Sequence, residues 1–252
     1  MPLPQRMKMS KLYYMDTTPF LNSTVFSAGL QRVGQVRNKK IAECKNDADK
    51  ARSLAAGLLF CYGYREHLGT GKMISCNGKT PKQDVPEEGL PGPHGKPLAV
   101  DGVYYSLSHS GNYAACLIGR SENGLDIQVR RPVREGLEKR FFAKEENDYL
   151  DGLRGKGGAE EVTDAFFTIW TLKEAYAKYT GKGMSEGFSG FSVMPSVLRE
   201  GKGTVGGSIL QSGRYGKLGK DCFWAVFSGE DGCGKAPEVE VIEILPENLF
   251  LP

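Results

Sequence analysis

The apolar positions of this chain recur with two different periods, and the changes of period divide it into elements. KLYYMD (11–16) is a short apolar run that reads as an opening strand, and VFSAGL (25–30) reads as part of a second element. A polar, basic stretch follows from Arg32 to Lys45. Beyond it Ala51, Leu54, Ala55, Leu58, Leu59 and Tyr62 recur at helical spacing, which predicts a helix. Asn46 or Asp47 supplies its N-cap, and Gly69 and Gly71 end it. Residues 76–97 are crowded with proline, glycine and charge, and predict a loop.

After Gly102 the texture changes. VYYSLS (103–108) and YAACLIG (113–119) are apolar and β-rich, and the polar turn HSGN between them predicts a hairpin. GLDIQV (124–129) predicts another short strand. A helical stretch is expected from about Arg134 to Leu150, then a glycine-rich break at DGLRGKGG (151–158). The strongest helical pattern begins near Thr163 or Asp164, turns Phe166, Phe167, Ile169, Trp170 and Tyr176 inward, and stops at Gly181. VEVIEI (239–244) alternates like an edge strand, and LPENLFLP reads as a tail.

One pattern repeats. A long helix ending in LGTGK precedes paired strands, and a second ending in TGKGM precedes FSGFSV and CFWAVFSG. Two similar α+β halves explain this echo.

Composition narrows the class without naming a function. At 40% hydrophobic and 25% charged the sequence is of the ordinary globular kind. Its 33 basic and 30 acidic residues leave a net charge of +3, too even for a chain built around nucleic acid, so any electrostatic function is local. The first twenty residues interrupt short apolar pieces with Lys8, Lys11 and Asp16, unlike a signal peptide, and no stretch is long and apolar enough for a bilayer. Cys44, Cys61, Cys76, Cys116, Cys222 and Cys233 form no C-x-x-C pair. These features together give the expectation of a reduced, cytoplasmic protein without structural zinc.

Candidate chemistry collects in four places. In WTLKEAYAKY (170–179), Trp170, Glu174 and Lys178 share one helix face with Lys173 nearby, which by itself is also the pattern of a solvated ion-paired helix. Asp126 lies between Leu125 and Ile127 in a strand pattern, where a carboxylate must face water, find a partner or bind a cation. Together Asp126 and Glu174 suffice for a phosphate-bound Mg2+. SLSHSG (106–111) puts Ser108 and His109 at a hairpin turn, where donors converge on an anion; no G-x-S-x-G elbow accompanies them, which disfavours a hydrolase. Lys39, Lys40, Lys45, Arg52 and Lys96 supply positive charge, each also readable as a solvated surface group. No P-loop and no G-x-G-x-x-G after a strand is present.

Taken in order, GKP (95–97), YSLSHSG (105–111), GLDIQ (124–128), RFFAKEE (140–146) and WTLKEAYAK (170–178) resemble the signature of Sfp-type 4'-phosphopantetheinyl transferases. The resemblance implies an α+β fold with pseudo-two-fold duplication, each half a long helix packed on a small, mainly antiparallel sheet. It implies an N-terminal half, 1–122, with the nucleotide contacts and a C-terminal half, 123–252, with the metal and catalytic residues, coenzyme A and Mg2+ lying in the cleft between them. The activity implied is Mg2+-dependent transfer of 4'-phosphopantetheine from coenzyme A to a serine of an acyl, peptidyl or aryl carrier protein, releasing 3',5'-ADP, by a monomer that uses neither nucleic acid nor membrane.

By motif position, Asp126 and Glu174 are implied metal ligands, and Glu146 the base or a metal-proximal carboxylate. Lys173 and Lys178 are implied to face the pyrophosphate, Ser108 and His109 the nucleotide phosphates, Arg52 with Lys39 or Lys40 the 3'-phosphate, and Lys96 the adenosine end. A competing reading is a module that binds coenzyme A or another nucleotide without reacting. Glu146, Glu174 and Lys178 argue against it, because a pure binder needs no base and no charge at the transferring group.

One position departs from the pattern. Two residues after Asp126 the family often carries an acid, whereas this chain has Gln128. An amide oxygen still ligates Mg2+, or a water takes its place, with one negative charge fewer. Gln128→Glu is expected to tighten Mg2+ binding in a calorimetric titration; unchanged affinity would show that residue 128 does not face the ion.

Overall fold

The computed structural model describes residues 9–69, 85–183, 187–194, 204–205, 208–209, 213–229 and 238–249. It divides into two compact units, Met1–Glu122 with Pro237–Pro252, and Asn123–Ala236. Cys76, Cys233 and Gly71 of LGTGK lie outside the described residues. Among the described residues, no helix is long and apolar enough to cross a membrane.

The first unit is built on a four-stranded sheet in the order β2-β3-β1-β9, with β1 Ser10–Asp16, β2 Tyr104–Ser110, β3 Tyr113–Gly119 and β9 Val239–Glu243. The strands β2 and β3 form the expected hairpin, in the register Ser110↔Tyr113, and β1 pairs antiparallel with β3. The C-terminal VEVIE, expected with residues 123–252, instead runs parallel to β1 as Ser10↔Val239 to Tyr14↔Glu243. Strand alternation revealed that segment as an edge, but not whose edge it is.

Helix α3, Asp47–Leu68, lies against this sheet. Asn46 caps it by accepting from the Asp49 N–H at 2.8 Å, and Gly69 ends it at φ 67°. Gly63 allows the close approach, because a side chain there would meet Tyr13 and Ile118. Tyr13, Met15, Leu54, Leu59, Phe60, Tyr105, Cys116 and Ile118 fill the core beneath it.

VFSAGL belongs to helix α1, Ser23–Leu30, and the polar stretch after Arg32 contains a further helix, α2, Gln35–Ala42. Sequence gave no signal for α2 because its cap comes from elsewhere. The Glu87 carboxylate accepts from the N–H groups of Gln35 and Val36 at 2.6 and 3.2 Å. Next to it, buried Arg37 donates twice to Glu88, at 2.5 and 2.7 Å, and once to Ser53 at 3.2 Å. Gly57 makes room for the Arg37 stem on α3.

The second unit carries a three-stranded antiparallel sheet in the order β4-β8-β7: β4 Asn123–Val129, β7 Arg214–Leu218 and β8 Cys222–Ser228. A two-stranded ribbon, β5 Thr204–Val205 and β6 Ser208–Ile209, lies apart from it. Helix α6, Ala159–Thr180, packs on β4 and β8, beginning several residues before the expected start and ending at Gly181 with φ 69°. Phe167 stacks on Phe223 of β8, sealing helix to sheet, and Phe166 stacks on Phe142 in the segment before Lys144.

The helix expected from Arg134 to Leu150 is two: α4 Leu137–Phe141 and α5 Lys144–Gly155, separated by extended Phe142 and Ala143. The break is held by side chains, since Asn147 donates to the carbonyls of Phe142 and Ala143, and Glu146 accepts from the Ala143 N–H at 2.7 Å. Helix α5 continues through Gly155, so the glycine-rich break is shorter than its composition suggested. FSG (188–190) is a 3-10 turn and not a strand.

Removing one member of a buried ion pair leaves the other charge uncompensated, at a cost of about 3–5 kcal/mol. Arg37→Met is therefore expected to lower stability by about 3 kcal/mol in denaturant unfolding, because among the described residues the charge partner left to Glu88 is half-exposed Lys40 at 3.2 Å. A loss below about 1 kcal/mol would contradict the clamp.

Candidate functional site

The site of the second unit depends on how closely β4 approaches α6. A Cβ added at Gly124 would fall 2.3 Å from both the Ala175 carbonyl oxygen and the Tyr179 nitrogen, so strand and helix backbones are in direct contact there. Residues two apart on a strand share a face. Asp126 therefore projects toward the same helix, and it is 4% exposed. The Lys178 Nζ donates to Asp126 Oδ1 at 2.8 Å, and the Gln128 Nε2 donates to Oδ2 at 2.9 Å.

Glu174 lies one turn before Lys178 on α6. Its carboxyl is pushed up to about 7, first by burial and then by the negative charge of Asp126, against the opposing pull of Lys178. The three groups were legible in the motifs; Gly124, which brings them together, was overlooked. Its signal was a glycine inside a strand pattern, a mark of close backbone approach.

A divalent cation fits this donor set. Burial and the negative charge of Asp126 raise the proton affinity of Glu174, positive charge relieves that strain, and hard oxygen donors suit Mg2+. The donor set is partial, since among the described residues no group of three or more His, Cys, Asp or Glu side chains gathers around one point. Gln128 turns its amide N–H toward Asp126, so its oxygen reaches an ion shared with Asp126 only if the amide turns over.

Glu146 and Lys173 form a different cluster. Both side chains are 0% exposed and their charged atoms are 2.8 Å apart. Glu146 also accepts from the N–H groups of Ala143 and Val193, each at 2.7 Å, and Lys173 donates to the carbonyls of Phe188 and Phe191 at 2.6 and 2.5 Å. Burial pushes the Glu146 carboxyl up and the Lys173 ammonium down, and their mutual attraction opposes both shifts. Lys173 is thus directed away from the face of α6 that Glu174 and Lys178 occupy.

In the first unit, the N-terminal end of α3 meets the turn between β2 and β3. Arg52 donates to the Gly111 carbonyl at 3.1 Å and pairs with Asp49, whose carboxyl is held low mainly by Arg52 and further by His109. Arg52 and His109 are therefore neighbours at one end of the sheet. Ser108 is buried on β2 while His109 is exposed, as alternation requires.

The other basic candidates lie elsewhere in this unit. Lys39 and Lys40 occupy the last turn of α2, where Lys40 pairs with Glu88 at 3.2 Å. Lys96 pairs with Glu122, beyond the far end of β3. The length of β3, roughly 20 Å, separates that end from the turn at Gly111.

Glu174 generates a pH prediction for the protein itself. With its carboxyl raised to about 7 in the fold, the folded state holds the proton over a range where the unfolded chain has released it. Stability is expected to fall as pH rises from about 4.5 to 7, by up to about 3 kcal/mol, and then to level off. Glu174→Gln removes this slope, so unfolding midpoints of the two proteins should converge at low pH and separate above it; a constant difference would contradict the assignment.

Comparison with known proteins points to the same segment. The family model of the 4'-phosphopantetheinyl transferase superfamily matches residues 123–224. The chain is similar to the 4'-phosphopantetheinyl transferase Sfp of Bacillus subtilis, 36% identical over 102 residues, covering 40% of this chain and 44% of that protein. It is also similar to the 4'-phosphopantetheinyl transferase HetI of Nostoc sp., 38% identical over 100 residues, covering 36% of this chain and 40% of that protein. The matched stretch thus spans less than half the length of these curated relatives. That stretch, which contains Asp126, Glu146, Glu174 and Lys178, is similar to the 4'-phosphopantetheinyl transferase superfamily and resembles its Sfp type.

Proposed function

We propose that this chain transfers the 4'-phosphopantetheine arm of coenzyme A to a serine of an acyl, peptidyl or aryl carrier protein, with Mg2+, releasing 3',5'-ADP. The observation that carries the reading is the meeting of Asp126, Glu174 and Lys178 on facing elements, inside the stretch that matches the superfamily. Asp126 and Glu174 would hold the ion, with Gln128 as a third oxygen donor after its amide turns. When bound, Mg2+ supplies positive charge to the pyrophosphate and to the leaving group.

The chain's own residues divide the remaining work. Lys178, part-exposed on Asp126, contributes a second positive charge where negative charge grows on the transferring phosphoryl group. Glu174 loses its proton near neutrality, so the pair is fully anionic only above that range. In the first unit, Arg52 and His109, with Ser108 and Lys39 or Lys40, would take the nucleotide phosphates, Arg52 through fork-like contacts. The attacking hydroxyl belongs to the carrier, which explains why no activated serine is needed here.

Incubation with coenzyme A, Mg2+ and several apo carrier proteins, followed by intact-mass measurement, tests the reaction. A carrier should gain one phosphopantetheine arm, and Asp126→Ala or Glu174→Ala should lower the rate by at least about 100-fold. Coenzyme A binding with no mass gain on any carrier would favour a non-catalytic binder, and full activity of either variant would overturn the metal assignment.

A further inference from the structure

The resemblance makes Glu146 the base or a metal-proximal carboxylate and Lys173 a pyrophosphate contact, yet both are sealed. An ammonium has three N–H groups. Those of Lys173 face three acceptors within bonding distance: Glu146 Oε2 at 2.8 Å, the Phe188 carbonyl at 2.6 Å and the Phe191 carbonyl at 2.5 Å. The Phe191 ring, its centroid 4.3 Å from Nζ, adds an aromatic face. No donor is left for a phosphate oxygen.

Glu146 is in the same position from the acceptor side. Its Oε1 takes the Val193 N–H, and its Oε2 takes both the Ala143 N–H and Lys173. With no exposed surface, it has no open side from which to receive a substrate proton. Carbonyls only accept and backbone N–H groups only donate, so the polar atoms of the pair are all committed to partners within the protein.

These bonds connect the extended break before α5, α5 itself, the 188–193 segment and α6. Lys173 immediately precedes Glu174, so whatever fixes Lys173 fixes the rotation of the turn that carries Glu174 and, one turn later, Lys178. We infer that Glu146 and Lys173 are positioning residues, a buried pin that sets the rotation of α6 and so places Glu174 and Lys178 beside Asp126, with neither member touching substrate. The inference rests on the transfer reading for its kinetic arm alone.

The test compares wild type, Glu146→Gln, Lys173→Met and the double variant by carrier-loading pH profile, Mg2+ calorimetry and denaturant unfolding. Each single change is expected to lower kcat roughly 10–100-fold while leaving the number of ionisations in the pH profile unchanged, because misplacement and not proton transfer is affected. The double variant should lose no more than the worse single within about threefold, since one pin is lost either way. It should unfold later than either single, because no uncompensated charge stays buried. Mg2+ affinity should fall in all three although neither residue faces the ion.

Disappearance of an ionisation in Glu146→Gln, or a kcat loss beyond about 1,000-fold with Mg2+ affinity and unfolding unchanged, would show that Glu146 takes part in the chemistry. If a single variant fails to fold, the double carries the comparison, and wild-type kcat and Mg2+ affinity in it would equally overturn the pin. A wild-type protein that binds Mg2+ but loads no carrier would sink the transfer reading, while Mg2+ affinity and unfolding still judge the pin.

Discussion

The contact of strand β4 with helix α6 at Gly124 is the constraint from which the rest of the second unit follows. Two backbones this close leave no space for a side chain at the crossing, so what projects on either side of it must be compatible. On the strand that is Asp126, a nearly fully buried carboxylate; on the helix it is Glu174 and Lys178. Burying a charge is costly unless it is paired. Lys178 and Gln128 satisfy the two Asp126 oxygens, and Glu174 is left to hold its proton to about 7. A site that keeps one carboxyl protonated through burial and a neighbouring negative charge is disposed to accept a cation.

The same rule governs the other buried charges, with different results. Arg37 and Glu88 join the segment after residue 85 to α2 and α3, while Glu146 and Lys173 join four pieces of the second unit. In both pairs each charged group is matched directly by the other. Glu174 differs in that its carboxyl holds its proton to about 7 beside Asp126, which separates a site from a scaffold more clearly than the presence of charge does.

Long-period features were readable from sequence. Helices α3 and α6, the β2–β3 hairpin and strand β4 follow from spacing, caps and turn residues that act within a few positions. Helix α2 was not readable, because Glu87 caps it from 52 residues away in sequence. The break at Phe142 and Ala143 depends on side chains of Asn147 and Glu146 folding back, a local bond that periodicity does not register. For the candidate site, the motifs supplied Asp126, Glu174 and Lys178, while the full burial of the Glu146–Lys173 pair was not legible in them. The resemblance gave Lys96 to the adenosine end of coenzyme A, and the fold sets it at the opposite end of β3 from Arg52 and His109.

The central claim is that Asp126 and Glu174 share one electrostatic environment created by the packing at Gly124. Carbon-detected NMR titration of the Glu174 carboxyl addresses it directly. The account predicts a midpoint near 7 in the natural protein, moving toward the ordinary glutamate range in Asp126→Asn and on adding Mg2+. A midpoint in the ordinary range from the start, unmoved by either change, would contradict it.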